Sequence, residues 1–202
     1  MDKANMFHQS AENLNQHKYY HGTHIELLDD YLQPRKNFNS LQNGVVSGAF
    51  VTSNEAHAKF FAINHCIGTG HTKLDHNKIY LERLSNNIIP EFYVYVVYET
   101  PDNKFVHDRG TEYYSTKPIK IAYRKQFDTV EEIKRLGYEI YVLNEPLKTN
   151  KGTDTNFDVQ QEMQERIDKN QFHRVDISSL IKKQSKNKLQ TIFHKLLHSK
   201  ND

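Results

Sequence analysis

The run Glu91-Phe92-Tyr93-Val94-Tyr95-Val96-Val97-Tyr98-Glu99 constrains this chain more than any other stretch. Both of its alternating faces are largely apolar, and aromatic and β-branched residues dominate it. Such a run predicts a strand at the centre of a sheet covered on both sides. A strand of that kind needs neighbours. The chain offers one at 18–24, one at Val45–Thr52, a half-exposed one over Ile119–Arg124 and a last clear one at Tyr138–Leu143.

Helical signals lie between these strands. Ser53 or Asn54 is placed to cap a helix whose buried side is Ala56, Phe60, Ile63 and Ile67, and Gly68 and Gly70 end it. Thr129-Val130-Glu131-Glu132 has the form of a capping box opening a short helix that stops at Gly137. Residues 35–44 and Thr100–Thr111 read as loops, and 71–90 as a His- and Asn-rich stretch around Ile79-Tyr80-Leu81. Gly68-Thr69-Gly70 is no dinucleotide-binding loop, because it closes a helix instead of opening one.

The domain expectation is a flexible arm over residues 1–16, one domain over 17–147, and a linker with a helical C-terminal extension over 148–202. In that extension Leu189, Ile192, Phe193, Leu196 and Leu197 form an amphipathic stripe opposite Lys186, Lys188 and Lys195. The stripe packs on the main domain or docks a partner. On this division a chain ending near Lys148 stays folded.

With 202 residues the chain can bury a real core. Its net charge of +2 makes no electrostatic case for nucleic acid as the main partner. A single cysteine, Cys66, excludes an intramolecular disulfide and suits a reducing compartment. No apolar run approaches the roughly 20 residues that span a bilayer. Met1 to Gln16 lacks the apolar core of a secretory signal, so cytoplasm is the default location, with export by another route outside the argument.

The chemistry-bearing stretch is Lys18-Tyr19-Tyr20-His21-Gly22-Thr23-His24. It reads as a strand that delivers an imidazole, and a glycine inside a strand marks close approach of a ligand or of another backbone. Histidines abound, yet no His-Glu-x-x-His occurs and one cysteine builds no structural zinc cluster, so no metal is expected. No nucleophile-elbow pattern points to a hydrolase.

Taken together, these segments resemble the ADP-ribosyltransferase superfamily, in the branch of the diphtheria-toxin-like enzymes and poly(ADP-ribose) polymerases. The closest resemblance is to the small rifamycin ADP-ribosyltransferases. Tyr20-His21-Gly22-Thr23 is similar to the family's first-strand His-Gly-Thr, and Gly48-Ala49-Phe50-Val51-Thr52-Ser53 with Ala56, Ala58, Phe60 and Phe61 to its second strand and following helix. Val96-Val97-Tyr98-Glu99-Thr100-Pro101 resembles the central strand, and Phe105-Val106-His107-Asp108 falls where the rifamycin enzymes keep an acidic residue. Tyr113 to Ile121 is similar to the family's Ser-Tyr-Arg-x-x-Pro segment and the strand after it. Order and spacing carry the resemblance: Phe50 lies 29 residues after His21, and Asp108 lies 58 after Phe50. It covers roughly residues 18–143.

The resemblance implies an α+β fold with split, mostly antiparallel β-sheets around an NAD cleft. It also implies mono-ADP-ribosyl transfer from NAD to a protein, nucleic acid or small molecule, with release of nicotinamide. The resident enzyme, the toxin and the secreted effector all share that chemistry. On this reading His21 binds a ribose hydroxyl, the Gly22 backbone holds the carboxamide and Thr23 assists. Phe50 stacks on the nicotinamide, and Phe60 or Phe61 supplies the second ring. Asp108 stabilises the cationic transition state and helps deprotonate the acceptor, with Asp102 and Glu112 as the alternative carboxylates. The family usually has Tyr where this chain has Phe50, so the ring is kept and the hydroxyl lost. Two alternatives follow: a non-catalytic module binding NAD, ADP-ribose or a partner protein, and an NAD glycohydrolase.

Overall fold

A computed structural model of the chain describes residues 17–39, 44–101, 104–147, 156–176, 178–183 and 185. The arm over 1–16, the residues 148–155 and the stripe from Leu189 to Leu197 lie outside the described residues, as does Asp102. The fold is α+β, and its sheets are mostly antiparallel.

The first sheet has eight strands. Along it run β2 (Tyr31–Leu32), β10 (Ile119–Asp128), β7 (Glu91–Tyr98), β1 (Lys18–Thr23), β4 (Gly44–Thr52), β9 (Glu112–Ser115) and β8 (Val106–Arg109), while β3 (Arg35–Asn39) also pairs with β4. β7 stands between β10 and β1, where its two apolar faces place it; Phe92 and Val94 to Val97 are buried. The second sheet has the order β12 (Phe172–Val175), β11 (Glu139–Leu143), β6 (Lys78–Leu84), β5 (Gly68–Asp75). β6 and β11 are parallel, and β5 and β12 are antiparallel edges.

Cα proximity divides the chain into two compact units. Of the described residues, one takes in those up to Gly22, within Leu27–Ala58 and within Val94–Lys125; the other takes in Thr23–Glu26, Lys59–Tyr93 and those from Gln126 on. The core of the second unit includes Tyr80, Leu143, Leu147, Val159, Met163 and Phe172. Val159 and Met163 come from α3 (Asn156–Asp168), and Phe172 from β12. The segment after Pro146 is thus helical over α3 and 178–183, as expected, but it also contributes a strand. β12 is only Phe172-His173-Arg174-Val175, too short to show a period, and it is a strand because the edge of β11 accepts it from Ile140 to Leu143.

Other expectations change in the same way. Residues 35–39 form β3 against Gly44–Gly48 instead of a loop, and 106–109 form β8 in a hairpin with β9 turned through Gly110 at φ +52°. Residues 68–84 form the β5–β6 hairpin, turned through His76 at φ +54°.

The helix α1 (Glu55–Ile67) is capped by Asn54, whose side chain accepts the backbone N–H groups of Ala56 and His57 at 2.9 and 3.4 Å. The helix α2 (Thr129–Arg135) is capped by Asp128, which accepts from Val130 and Glu131, and not by a Thr129 box. The Thr129 hydroxyl instead donates to the Ile89 carbonyl at 2.8 Å. Glu132 is drawn away from the box position by Lys59 at 2.9 Å and Arg135 at 2.6 Å. Gly137 at φ +67° ends α2 as expected, since a side chain is strained there. Among the described residues no helix is long and apolar enough to cross a membrane.

Candidate functional site

β1 is short, aromatic and strand-forming at its start, and it meets β4 in antiparallel register at Tyr20↔Thr52. That is the only position at which the two strands are in register among the described residues. One residue on, the ladder opens. The Phe50 carbonyl, instead of pairing in a continuing ladder, is met by the His21 side chain, with Nδ1 at 2.8 Å. A carbonyl only accepts, so this bond requires the tautomer with its proton on Nδ1, and Nε2 is then left as an acceptor. Burial is the main cause holding the His21 pKa below its ordinary value of 6.5; the Arg35 charge adds to it, and the bond to Phe50 works the other way. The imidazole is therefore neutral at pH 7.

Gly22 follows in the strand, and the reason only glycine serves there is visible. A Cβ at this position would collide with the Ala58 carbonyl oxygen and sit 2.6 Å from its carbon. The close approach at Gly22 is that of the α1 backbone. Thr23 ends the strand, and its Oγ1 accepts the Ile25 N–H at 3.1 Å, an ordinary turn contact.

Phe50 is half-buried on β4, and its ring lies 5.7 Å from that of Tyr114, its cross-strand partner on β9. The next strand, β8, carries Asp108. The β8–β9 register steps there: His107 faces Tyr113, whereas Arg109 faces Glu112. An irregularity of this kind re-aims a side chain out of the regular pleat. Asp108 therefore belongs to a strand bulge and not to the loop expected for it.

His21, Gly22, Phe50 and Asp108 fall in the first compact unit, and the strands β1, β4, β9 and β8 bring them in order across one sheet. Thr23, Phe60 and Phe61 fall in the second unit. There Phe60 is buried, Phe61 half-buried, and their rings are 5.6 Å apart.

Near Phe50, polar contacts join residues whose pairing the sequence does not show. The Thr52 hydroxyl donates to Thr111 Oγ1 at 3.0 Å, and His57 Nδ1 lies 2.9 Å from the same oxygen. Glu112 stands opposite Thr52 in the β4–β9 ladder. Thr52 and His57 lie more than 50 positions from Thr111 and Glu112 in the chain, so only strand pairing reveals that they meet. The pairing of Tyr114 with Phe50 was equally hidden, because the two lie in different hairpins.

Cys66 is buried, and burial pushes its thiol up to about 12, so it is no nucleophile at neutral pH. Among the described residues no group of three or more His, Cys, Asp or Glu is placed to hold a metal ion. Compared with known proteins, the chain matches no family model, no curated protein and no solved structure.

Proposed function

We propose that the chain is a mono-ADP-ribosyltransferase that uses NAD as donor. The observation that supports this reading best is the opening of the β1–β4 ladder, bridged by His21 Nδ1 and the Phe50 carbonyl. An interrupted ladder offers backbone polar groups to a ligand, and the neutral His21 ring offers Nε2 as an acceptor for a ribose hydroxyl. The Phe50 ring beside it supplies a flat apolar wall for the nicotinamide.

In the reaction the bond between ribose C1′ and the nicotinamide nitrogen breaks, and its electron pair leaves with neutral nicotinamide. The acceptor's nucleophile bonds to C1′, and its proton passes to Asp108. The Asp108 carboxylate also faces the positive charge that develops on the ribose ring, where fixed negative charge lowers the barrier. The acceptor is a protein, a nucleic acid or a small molecule.

Nicotinamide release, with NAD affinity measured by calorimetry, tests the reading. His21→Ala weakens NAD binding by about 1–3 kcal/mol, the cost of an unmet buried polar group. Asp108→Asn lowers turnover by about 10²–10³ while NAD affinity changes less than about tenfold. Full activity in Asp108→Asn with collapse in Glu112→Gln moves the carboxylate to the other strand of the same hairpin and keeps the mechanism. Absence of NAD binding to the wild type overturns the proposal.

The α1 backbone against Gly22, together with a Phe50 that lacks the family's hydroxyl, favours one second reading. This is a non-catalytic module that binds NAD or ADP-ribose. Saturable NAD binding that depends on His21, without nicotinamide release, identifies it.

A further inference from the structure

Two histidines that the NAD reading does not use lie together in the second compact unit. His24 follows directly on β1, and His65 sits in the last turn of α1. Their ring centroids are 5.6 Å apart with the planes inclined by 40°. Nδ1 of His24 is fully buried and has no hydrogen-bond partner among the described residues. Leaving such an atom unmet costs about 1–3 kcal/mol, so it points to a ligand.

We propose that His24 and His65 form a two-histidine site for one divalent transition-metal ion of the zinc, copper and nickel class. The spacing fits. Metal–nitrogen bonds of about 2.0–2.1 Å to two imidazoles at a tetrahedral angle put the ring centroids about 5–6 Å apart. Imidazole nitrogen suits this class of ion and not magnesium or calcium, which take oxygen ligands. His65 also stands at the carbonyl end of α1, where the helix dipole favours a cation. With two protein ligands the remaining positions go to water.

The chain has 12 histidines, so the test must separate this pair from weak surface binding. The full chain, stripped with a chelator, is titrated with Zn²⁺ by calorimetry and with Cu²⁺ by electron paramagnetic resonance. The expected result is one saturable equivalent, with nitrogen coordination in the Cu²⁺ spectrum. His65→Asn, on the exposed face of α1, weakens it at least tenfold, since loss of a ligand costs no less than the 10- to 100-fold typical of outer partners. His24→Asn does the same. The control is His76→Asn, which removes an exposed histidine 2.7 Å from Asp75 and leaves binding unchanged. Absence of a saturable site in the wild type, wild-type affinity in His65→Asn, or equal loss in His76→Asn overturns the proposal.

Discussion

The neighbourhood of Phe50 and the neighbourhood of Tyr80 are both built on strands, but their backbones are treated differently. Around Tyr80 the ladders that join β6 to β11 and β11 to β12 are continuous. β6 runs in register with β11 from Lys78 to Leu81, and β11 runs in register with β12 from Ile140 to Leu143. Around Phe50 the β1–β4 register stops at Tyr20↔Thr52, and an imidazole takes over. Continuous ladders satisfy their own polar groups and leave side chains such as Leu143, Val159 and Met163 to pack. An interrupted ladder leaves groups whose partners must come from side chains or from a ligand. The first arrangement serves stability, and the second serves binding.

The contrast is broken most severely by removing residues 148–202. Sequence patterning alone suggests that such a shortened chain folds. The shared core argues the opposite, because Tyr80, Leu143 and Leu147 lose Val159, Met163 and Phe172, and β11 loses β12. The shortened chain is expected to be insoluble or to lack a cooperative transition by circular dichroism. A native-like transition would show that the second region is two separable parts.

Next in size is Glu132→Gln. Lys59 and Glu132 are only 7% and 5% exposed, and Lys59 Nζ also sits 4.2 Å from the Phe127 ring centre. Neutralising the acid removes the charge that faces this buried ammonium at 2.9 Å, which costs about 3–5 kcal/mol in chemical denaturation. The pair has a pH signature as well. The Arg135 hydrogen bonds first, and Lys59 second, hold the Glu132 pKa below its usual 4.5 against the opposing effect of burial. Its stabilisation is therefore complete above about 4.5 and is lost as pH falls through the depressed folded value. Glu132→Gln should flatten that acid limb; an unchanged limb would assign it to other carboxylates.

Gly22→Ala sharpens the comparison from the other side. Its Cβ meets backbone, which cannot rotate away, so about 1–3 kcal/mol of stability is lost with no NAD present. If stability is unchanged and only NAD binding falls, Gly22 answers to the ligand and not to α1. The smallest effect belongs to Asn54→Ala, which removes the cap of α1 and costs about 0.5–2 kcal/mol in thermal unfolding.

Much of the fold was legible because it is written in local patterns. The two-sided apolar run of β7, the aromatic start of β1, the Asn54 cap and the Gly137 stop each depend on a few neighbouring residues. The site was half legible. Tyr20-His21-Gly22-Thr23 announces a strand that carries an imidazole, yet nothing in it says that the ring reaches the Phe50 carbonyl or that α1 crosses over Gly22.

By itself, then, the sequence determined element types wherever propensity and period agree, and it excluded a disulfide by its single cysteine. Only the tertiary structure decided the rest. β3, β8 and β12 are strands because of the partners they meet, since their own residues are too few or too polar to choose. Glu132 left the capping box because Lys59 and Arg135 surround it in the folded chain. The opening beyond Tyr20, the Thr52–Thr111–His57 contacts and the His24–His65 pair all join residues distant in sequence. Local conformational preference acts over a few residues, whereas these contacts exist only once the ends of long chain segments have been brought together.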